Sequence, residues 1–186
     1  MTEKMSKIQD RRISMRYVDH YESPLGSILL AADDVGLTGL WFEGQKYYAQ
    51  TLSPEHEERE LPVFRETKQW IDIYFSGQEP DFMPPVHMVG TDFQLMVWEI
   101  LKQIPYGETI TYGEIARRIA AHKGIPHMSA QAAGGAVGHN KISIIIPCHR
   151  VVGTDGSLTG YAGGIEKKIK LLSLEKADVT TLSVPK

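Results

Sequence analysis

From Arg16 to Gly44 the chain alternates short apolar and polar runs, RYVDHYESPLGSILLAADDVGLTGLWFEG. Two turn signals, Pro24-Leu25-Gly26 and Asp33-Asp34-Val35-Gly36, divide this segment into three strand-like pieces and predict an antiparallel meander. SPEHEERE then reads as a solvated acidic run. Beyond it the period lengthens: Val63, Phe64, Thr67, Trp70, Ile71, Tyr74 and Phe75 recur at helical spacing, with Pro62 suited to the first turn and Gly77 to the stop. This aromatic stripe reads as core, and nothing in this half groups reactive side chains. QEPDFMPPVHMVG has little periodicity and three prolines, which places a linker and a domain boundary near residue 89.

The second half is helical. TDFQLMVWEILKQIP pairs Thr91 with Gln94 as a capping box and sets Phe93, Met96, Val97, Ile100, Leu101 and Ile104 on one face before Pro105. Thr111 and Glu114 open a second helix, with Ile115, Ala116, Ile119 and Ala120 facing inward. After the break Gly124-Ile125-Pro126 comes SAQAAGGAVGHN, a short helix of small residues. Helix, turn and short helix together suggest a helix-turn-helix. Adjacent Gly134 and Gly135 cost about 1 kcal/mol each against alanine in a helix. Two features could offset that cost, tight packing on a neighbouring helix or close approach of a ligand backbone. If the ligand is DNA, so slim a helix suits a minor groove better than base reading in the major groove.

Length and composition add boundaries to this picture. At 186 residues, 42% hydrophobic and 23% charged, the chain suits a soluble globular protein of one large or two small domains. No apolar run suggests a membrane span, and the opening MTEKMSKIQDRR lacks the apolar core of a signal peptide, so a cytoplasmic location is expected. The net charge of −3 argues against a general polyanion binder. Its distribution is uneven, with nine Lys/Arg against seven Asp/Glu in residues 91–175 and eleven against sixteen elsewhere.

Cys148 is the only cysteine, so an internal disulfide and a cysteine-rich zinc site are excluded. It lies in IIIPCHRVVG, whose β-branched run and Pro147 read as a buried strand ending at the thiol. Burial would silence the thiol unless a base or cation stood beside it. His149 follows directly, yet strand neighbours point to opposite faces, so a Cys-His pair requires a bend at Pro147 or a bridging water. His149 is therefore structural or catalytic. The last helix, GIEKKIKLLSLEK, is expected to bury Ile165, Ile169 and Leu172 and either directs Glu175 toward the site or leaves it solvated.

FQLMVWEILKQIPYGETITYGEIA, AAGGAVGHN, IIIPCHRVVG and GSLTGYAGG, in this order over residues 91–175, resemble the O6-alkylguanine-DNA alkyltransferase family, also called methylated-DNA:protein-cysteine methyltransferases. The resemblance implies an α+β protein: an N-terminal RNase H-like antiparallel sheet with a helix over residues 1–89, and a mostly helical, winged-helix-like DNA-binding domain over 90–176. Residues 177–186 read as a flexible tail. It further implies a monomer that uses no cofactor or metal and acts on double-stranded DNA carrying O6-alkylguanine. The damaged base is flipped from the duplex, and its alkyl group passes irreversibly to cysteine in a single turnover.

Carried over by residue, Cys148 is the acceptor, His149 its base acting through a water, and Glu175 the group that orients His149. Asn140 shapes the turn around the site, and Tyr112 hydrogen bonds to the target nucleotide. Tyr161, Ala162 and Gly163 form the loop over the flipped base, with Val151 lining the pocket. Ala130, Gln131, Gly134, Gly135, Lys141 and Arg150 are the expected DNA-facing positions.

Two residues depart from the family pattern. Gln131 stands where an arginine usually fills the gap left by the flipped nucleotide, and Lys141 stands where proline often follows the asparagine. Three other readings are weaker. An alkyltransferase-like damage sensor lacks the reactive cysteine, a cysteine hydrolase draws its histidine from farther along the chain, and a transcription factor of this type needs more Arg, Asn and Gln on its reading helix.

Overall fold

The computed structural model describes residues 15–184; the charged opening MTEKMSKIQDRR, in which no signal peptide was expected, lies outside them. The predicted meander is present as β1 (Arg16–Ser23), β2 (Gly26–Ala32) and β3 (Leu37–Phe42), paired antiparallel in sequence. Part of the acidic run becomes a fourth strand, β4 (His56–Glu58), which pairs parallel to β1 and completes the order β3-β2-β1-β4. All three β4 residues are exposed. Edge pairing rather than burial holds them, which hydrophobic periodicity does not register.

Helix α1 (Pro62–Phe75) starts at its proline and buries Phe64, Trp70, Ile71 and Tyr74. Helix α2 (Asp92–Lys102) carries the full Thr91/Gln94 capping box, and the short strand β5 (Ile110–Thr111) leads into α3 (Tyr112–Lys123). Gly124 ends α3 in the left-handed conformation, φ 65°, which glycine adopts without a steric penalty. Helix α4 (Ala130–Gly138) is the small-residue helix, capped by Ser129, and α5 (Ile165–Leu174) closes the fold. α5 buries Leu171, Leu172 and, against expectation, Lys168, whereas Ile165 and Ile169 are only partly covered.

One hydrophobic cluster runs from Ile28, Leu40 and Phe42 of the sheet through Phe64 and Tyr74 of α1 to Val97, Ile115 and Val137 of the later helices. Backbone hydrogen bonds stitch the same boundary, from the Leu40 amide to the Lys141 carbonyl (2.8 Å) and from the Ser143 amide to the Leu40 carbonyl (3.0 Å). The site is thus built on two elements that a shared core holds rigidly together.

The flexible tail read for 177–186 needs correction over its described part. Ala177 is buried, and Val179 and Leu182 pack on Val152, Leu158 and Leu172. The Ser183 amide donates to Gly156 (3.0 Å) and its carbonyl accepts from Leu158 (2.8 Å). Ala177, Val179 and Leu182, two and three apart, supplied a short docking patch that was masked by the polar residues between them.

Candidate active site

The isoleucine run is not the strand its β-branched composition suggested. Ile144 has φ 69°, a rare and strained conformation for a β-branched residue, and reverses the chain. The Ile145 amide bonds to Ser143 (2.8 Å) and the Ile146 amide to Ile142 (3.0 Å), so the segment is coiled tightly on itself. Asn140 fastens the coil, accepting from the Ile142 amide (3.0 Å) and donating to the Ile146 carbonyl (2.7 Å). All three isoleucines are buried. Burial selected the residue types, while side-chain to backbone bonding chose the conformation.

Pro147 then introduces a single turn of 3-10 helix, Cys148–Arg150. Alternation of strand faces therefore does not apply to Cys148 and His149, and the bend that their cooperation requires is present. The following strand β6 (Val151–Val152) pairs parallel with β5, joining Ile110 to Val151 and Thr111 to Val152. This pairing brings the first residue of α3, Tyr112, to the cysteine turn.

His149 is fully buried and its Nε2 lies 2.7 Å from Glu175 Oε1. Glu175 caps α5 and is nearly surrounded by donors: Arg150 Nε (2.9 Å) and the Gly107 amide (3.2 Å) on Oε2, and Arg150 Nη2 (2.9 Å) and the Tyr74 hydroxyl (2.8 Å) on Oε1. Burial works against ionisation of Glu175, but the hydrogen bonds from His149 and Arg150 prevail and hold its pKa at about 2. An ionised Glu175 can only accept, so the His149 proton resides on Nε2. Nδ1, buried and without a hydrogen-bond partner among the described residues, carries the free lone pair.

Desolvation lowers the pKa of His149, against the pull of Glu175, and raises that of the Cys148 thiol, against Asn140 and Lys168. Resting thiol and imidazole are both neutral at this depth. Lys168 is wholly buried, donates to the Val151 (2.5 Å) and Thr159 (2.9 Å) carbonyls, and is brought down to about 8 by desolvation. Tyr112 donates to the Thr159 carbonyl (3.0 Å), and burial with the neighbouring thiol raises it to about 12, so it remains a donor.

A cleft of about 240 Å³ is lined by Gly134, Gly135, His139, Tyr161 and Ala162 together with Lys46 and Tyr47; Cys148 does not line it, and Tyr161 connects it to the turn by meeting the His149 ring edge on. The two explanations for the glycines now separate. A Cβ at Gly134 would touch the Tyr112 ring at 3.5 Å, whereas at Gly135 it would meet none of the described residues within 4 Å. Helix packing falls to Ala133, Ala136 and Val137, so Gly135 keeps an open face slim. Gly160 has φ 77°, and a Cβ there would come within 2.8 Å of the Tyr112 hydroxyl.

The family model for the 6-O-methylguanine DNA methyltransferase ribonuclease-like domain matches residues 16–88, and that for the DNA binding domain of the same enzymes matches residues 92–177. The chain belongs to the 6-O-methylguanine DNA methyltransferase family. Methyltransferases of this family from Haemophilus influenzae and Methanosarcina acetivorans, both described as methylated-DNA–protein-cysteine methyltransferases, are each 44% identical to it. The alignments span 86% of this chain in both cases, and 86% and 97% of the relatives. The Mycobacterium tuberculosis O6-methylguanine methyltransferase superposes with a TM-score of 0.74 at 42% identity, covering 87% of this chain and 93% of that one. The M. tuberculosis OGT solved in complex with DNA gives 0.74 at 40% identity, covering 89% and 98%.

Within this methyltransferase fold, several sequence-based placements change. Arg150 does not face DNA: it is buried, bonded to Glu175 and to the Ile104 carbonyl (2.7 Å), because a carboxylate at that depth needs a cation. Lys141 is turned to the linker, donating to the Val89 carbonyl (2.5 Å) above the Trp98 ring. Val151 lies in the core instead of lining the cleft. Ala130 and Gln131 are exposed at the start of α4. Tyr161 is buried at the cleft, and Gly163 lies along an adjoining groove with Lys167 and Lys170. Missed in the sequence were Tyr74, which reaches Glu175 from α1, and the Lys46-Tyr47 wall, tied to the loop by the Lys46 amide on the Ala162 carbonyl (3.0 Å). No motif marked Tyr74, whose spacing fits an ordinary core position.

Proposed function

We propose that this protein repairs alkylated DNA by direct reversal, taking the alkyl group of O6-alkylguanine onto Cys148 in one irreversible turnover. The observation that carries the assignment is the buried chain Glu175-His149, with the Nε2 proton committed to the carboxylate and the Nδ1 lone pair left for the thiol. Cys148 gives its proton to His149 through a water, and the sulfur attacks the alkyl carbon in line with its bond to O6. The S–C bond forms as the C–O6 bond breaks, and the electron pair passes to the guanine, which regains a proton on its ring. Because the thiol is neutral at rest, a thiolate is generated only as the base acts, which protects the single-use sulfur from other electrophiles.

O6 lies within the duplex stack, so the base must be flipped out toward Cys148, at a cost of roughly a few kcal/mol that weak pairing of the lesion reduces. α3 and α4 act as a helix-turn-helix whose slim second helix enters the minor groove, with Gln131 at its exposed start. Tyr112 releases the Thr159 carbonyl, donates to the flipped base and assists its departure. Asn140 keeps the cysteine turn in shape. The Tyr161-Ala162-Gly163 loop closes over the base. The protein acts as a cytoplasmic monomer, with a sheet domain through residue 89 and the DNA-binding domain after it.

Incubation with a duplex carrying a single O6-methylguanine tests this directly. The peptide containing Cys148 is expected to gain one methyl group, with repair stopping at one equivalent per protein. Cys148→Ala should abolish transfer and keep DNA affinity. Tight binding of an intact lesion by the unaltered protein would defeat the transferase reading and favour a damage sensor.

A further inference from the structure

Tyr74 is a buried hydroxyl on the inner face of α1, where the other buried hydroxyl, Thr67, bonds within the helix to the Val63 carbonyl. Its ring is fixed by stacking on Trp70 (centroids 5.3 Å apart, planes 7° from parallel) and by edge contacts with Phe75 and Tyr106. Phenylalanine would fill that space equally well. The hydroxyl instead donates to Glu175 Oε1 at 2.8 Å, the same oxygen that holds His149, and sits 3.5 Å from His149 Nε2. A buried hydroxyl without a partner would be costly, and this one spends its single proton on the carboxylate that orients the base.

We infer that Tyr74 is a positioning residue of the alkyl-transfer site, drawing charge from Glu175 so that the His149 imidazole stays neutral and free to accept the thiol proton. The inference rests on the assignment of Cys148 and His149 given above. A base must be unprotonated before it can act. A bare carboxylate 2.7 Å from imidazole pulls a second proton onto the ring; each donor that shares the carboxylate weakens that pull. Around His149 stand Glu175, Arg150, Tyr74, Tyr161, Cys148 and Lys168. Arg150 and Lys168 are cations that already disfavour imidazolium, and both are anchored by backbone carbonyls. Tyr161 meets the ring edge on, at 6.5 Å between centroids, and does not bond to Glu175. Among the described residues Tyr74 is the one neutral side chain that hydrogen bonds to Glu175 and faces His149 as well.

The test uses the full chain carrying Tyr74→Phe, a change that removes one oxygen and keeps the ring packing. Single-turnover methyl transfer from the O6-methylguanine duplex is followed from mildly acidic to alkaline pH, and the His149 imidazole is titrated by NMR. The expected result is a rate lowered about fivefold on the acidic side, rejoining the unaltered protein on the alkaline plateau, with the imidazole midpoint moved upward. 3-Fluorotyrosine at position 74, a stronger donor that retains the hydrogen bond, should move both in the opposite direction. A uniform loss at every pH with an unmoved imidazole would mean that Tyr74 only packs, and the inference falls. It falls equally if both profiles stay unchanged while the unaltered protein methylates Cys148. Failure of the unaltered protein to methylate Cys148 would overturn the underlying site assignment as well.

Discussion

At the scale of single residues, the site depends on polar atoms that backbone or carboxylate partners hold in place. Asn140 shows the dependence most simply, since its amide satisfies an N–H and a carbonyl inside the isoleucine coil. Asn140→Ala leaves both groups buried and unpaired, and a loss of about 2–3 kcal/mol is expected in urea unfolding. Equal stability of the two proteins would show that the coil stands without it. The buried pair behind the thiol fixes the response to acid. His149 is depressed by burial, so between its folded and unfolded pKa values the unfolded chain binds more protons, and stability falls as pH drops below about 6.5. Glu175 is depressed to about 2, so its contribution is complete above about 4.3 and is lost as pH falls toward the folded value. Unfolding free energy should therefore decline in two stages as pH falls from neutrality. His149→Gln, which keeps a donor for Glu175, should remove the first stage alone.

Among the elements, the sequence disclosed those whose burial is periodic and concealed those held by particular polar contacts. The three-strand meander was legible because its inner strands are apolar on both faces between turn signals, and α1 and α2 because each turns one side to the core. β4 was not, since its residues are all exposed, and the isoleucine run ending at Cys148 looked like a strand because β-branching reports burial as readily as extension. Glu175, Tyr112 and Cys148 became a site only through the resemblance, because the β5-β6 pairing that joins two of them spans forty residues of chain and has no local signal. At α4 the departure from the family pattern can be tested. Gln131 is exposed at the helix start, where an arginine would add a charge toward the phosphates without disturbing the core. Gln131→Arg is expected to tighten binding to duplex DNA, raise the repair rate, and steepen the salt dependence by about one counterion. An unchanged affinity and rate would show that the glutamine already does what the arginine does elsewhere.

Across the whole molecule, two segments matched by separate family models share one hydrophobic cluster, and this limits how far they can act independently. Leu40 of β3 is fully buried in that cluster and is bonded through both its amide and its carbonyl to Lys141 and Ser143, next to the coil that carries the cysteine. Tyr74 makes a second crossing, straight to the carboxylate behind the base. Loosening the sheet half should therefore unfold the site with it instead of leaving a helical remnant. Tryptophan fluorescence samples both halves, through Trp41 and Trp70 on one side and Trp98 on the other, and far-UV circular dichroism follows mainly the helices. The two signals should trace one coincident transition. Leu40→Ala, a core truncation of about 2–4 kcal/mol, should move both midpoints together and expose Cys148 to thiol reagents over the same denaturant range. If the helical signal instead persisted after the fluorescence of the sheet half had changed, the halves would be energetically separate, and Tyr74 could not act on the base as a fixed part of the site.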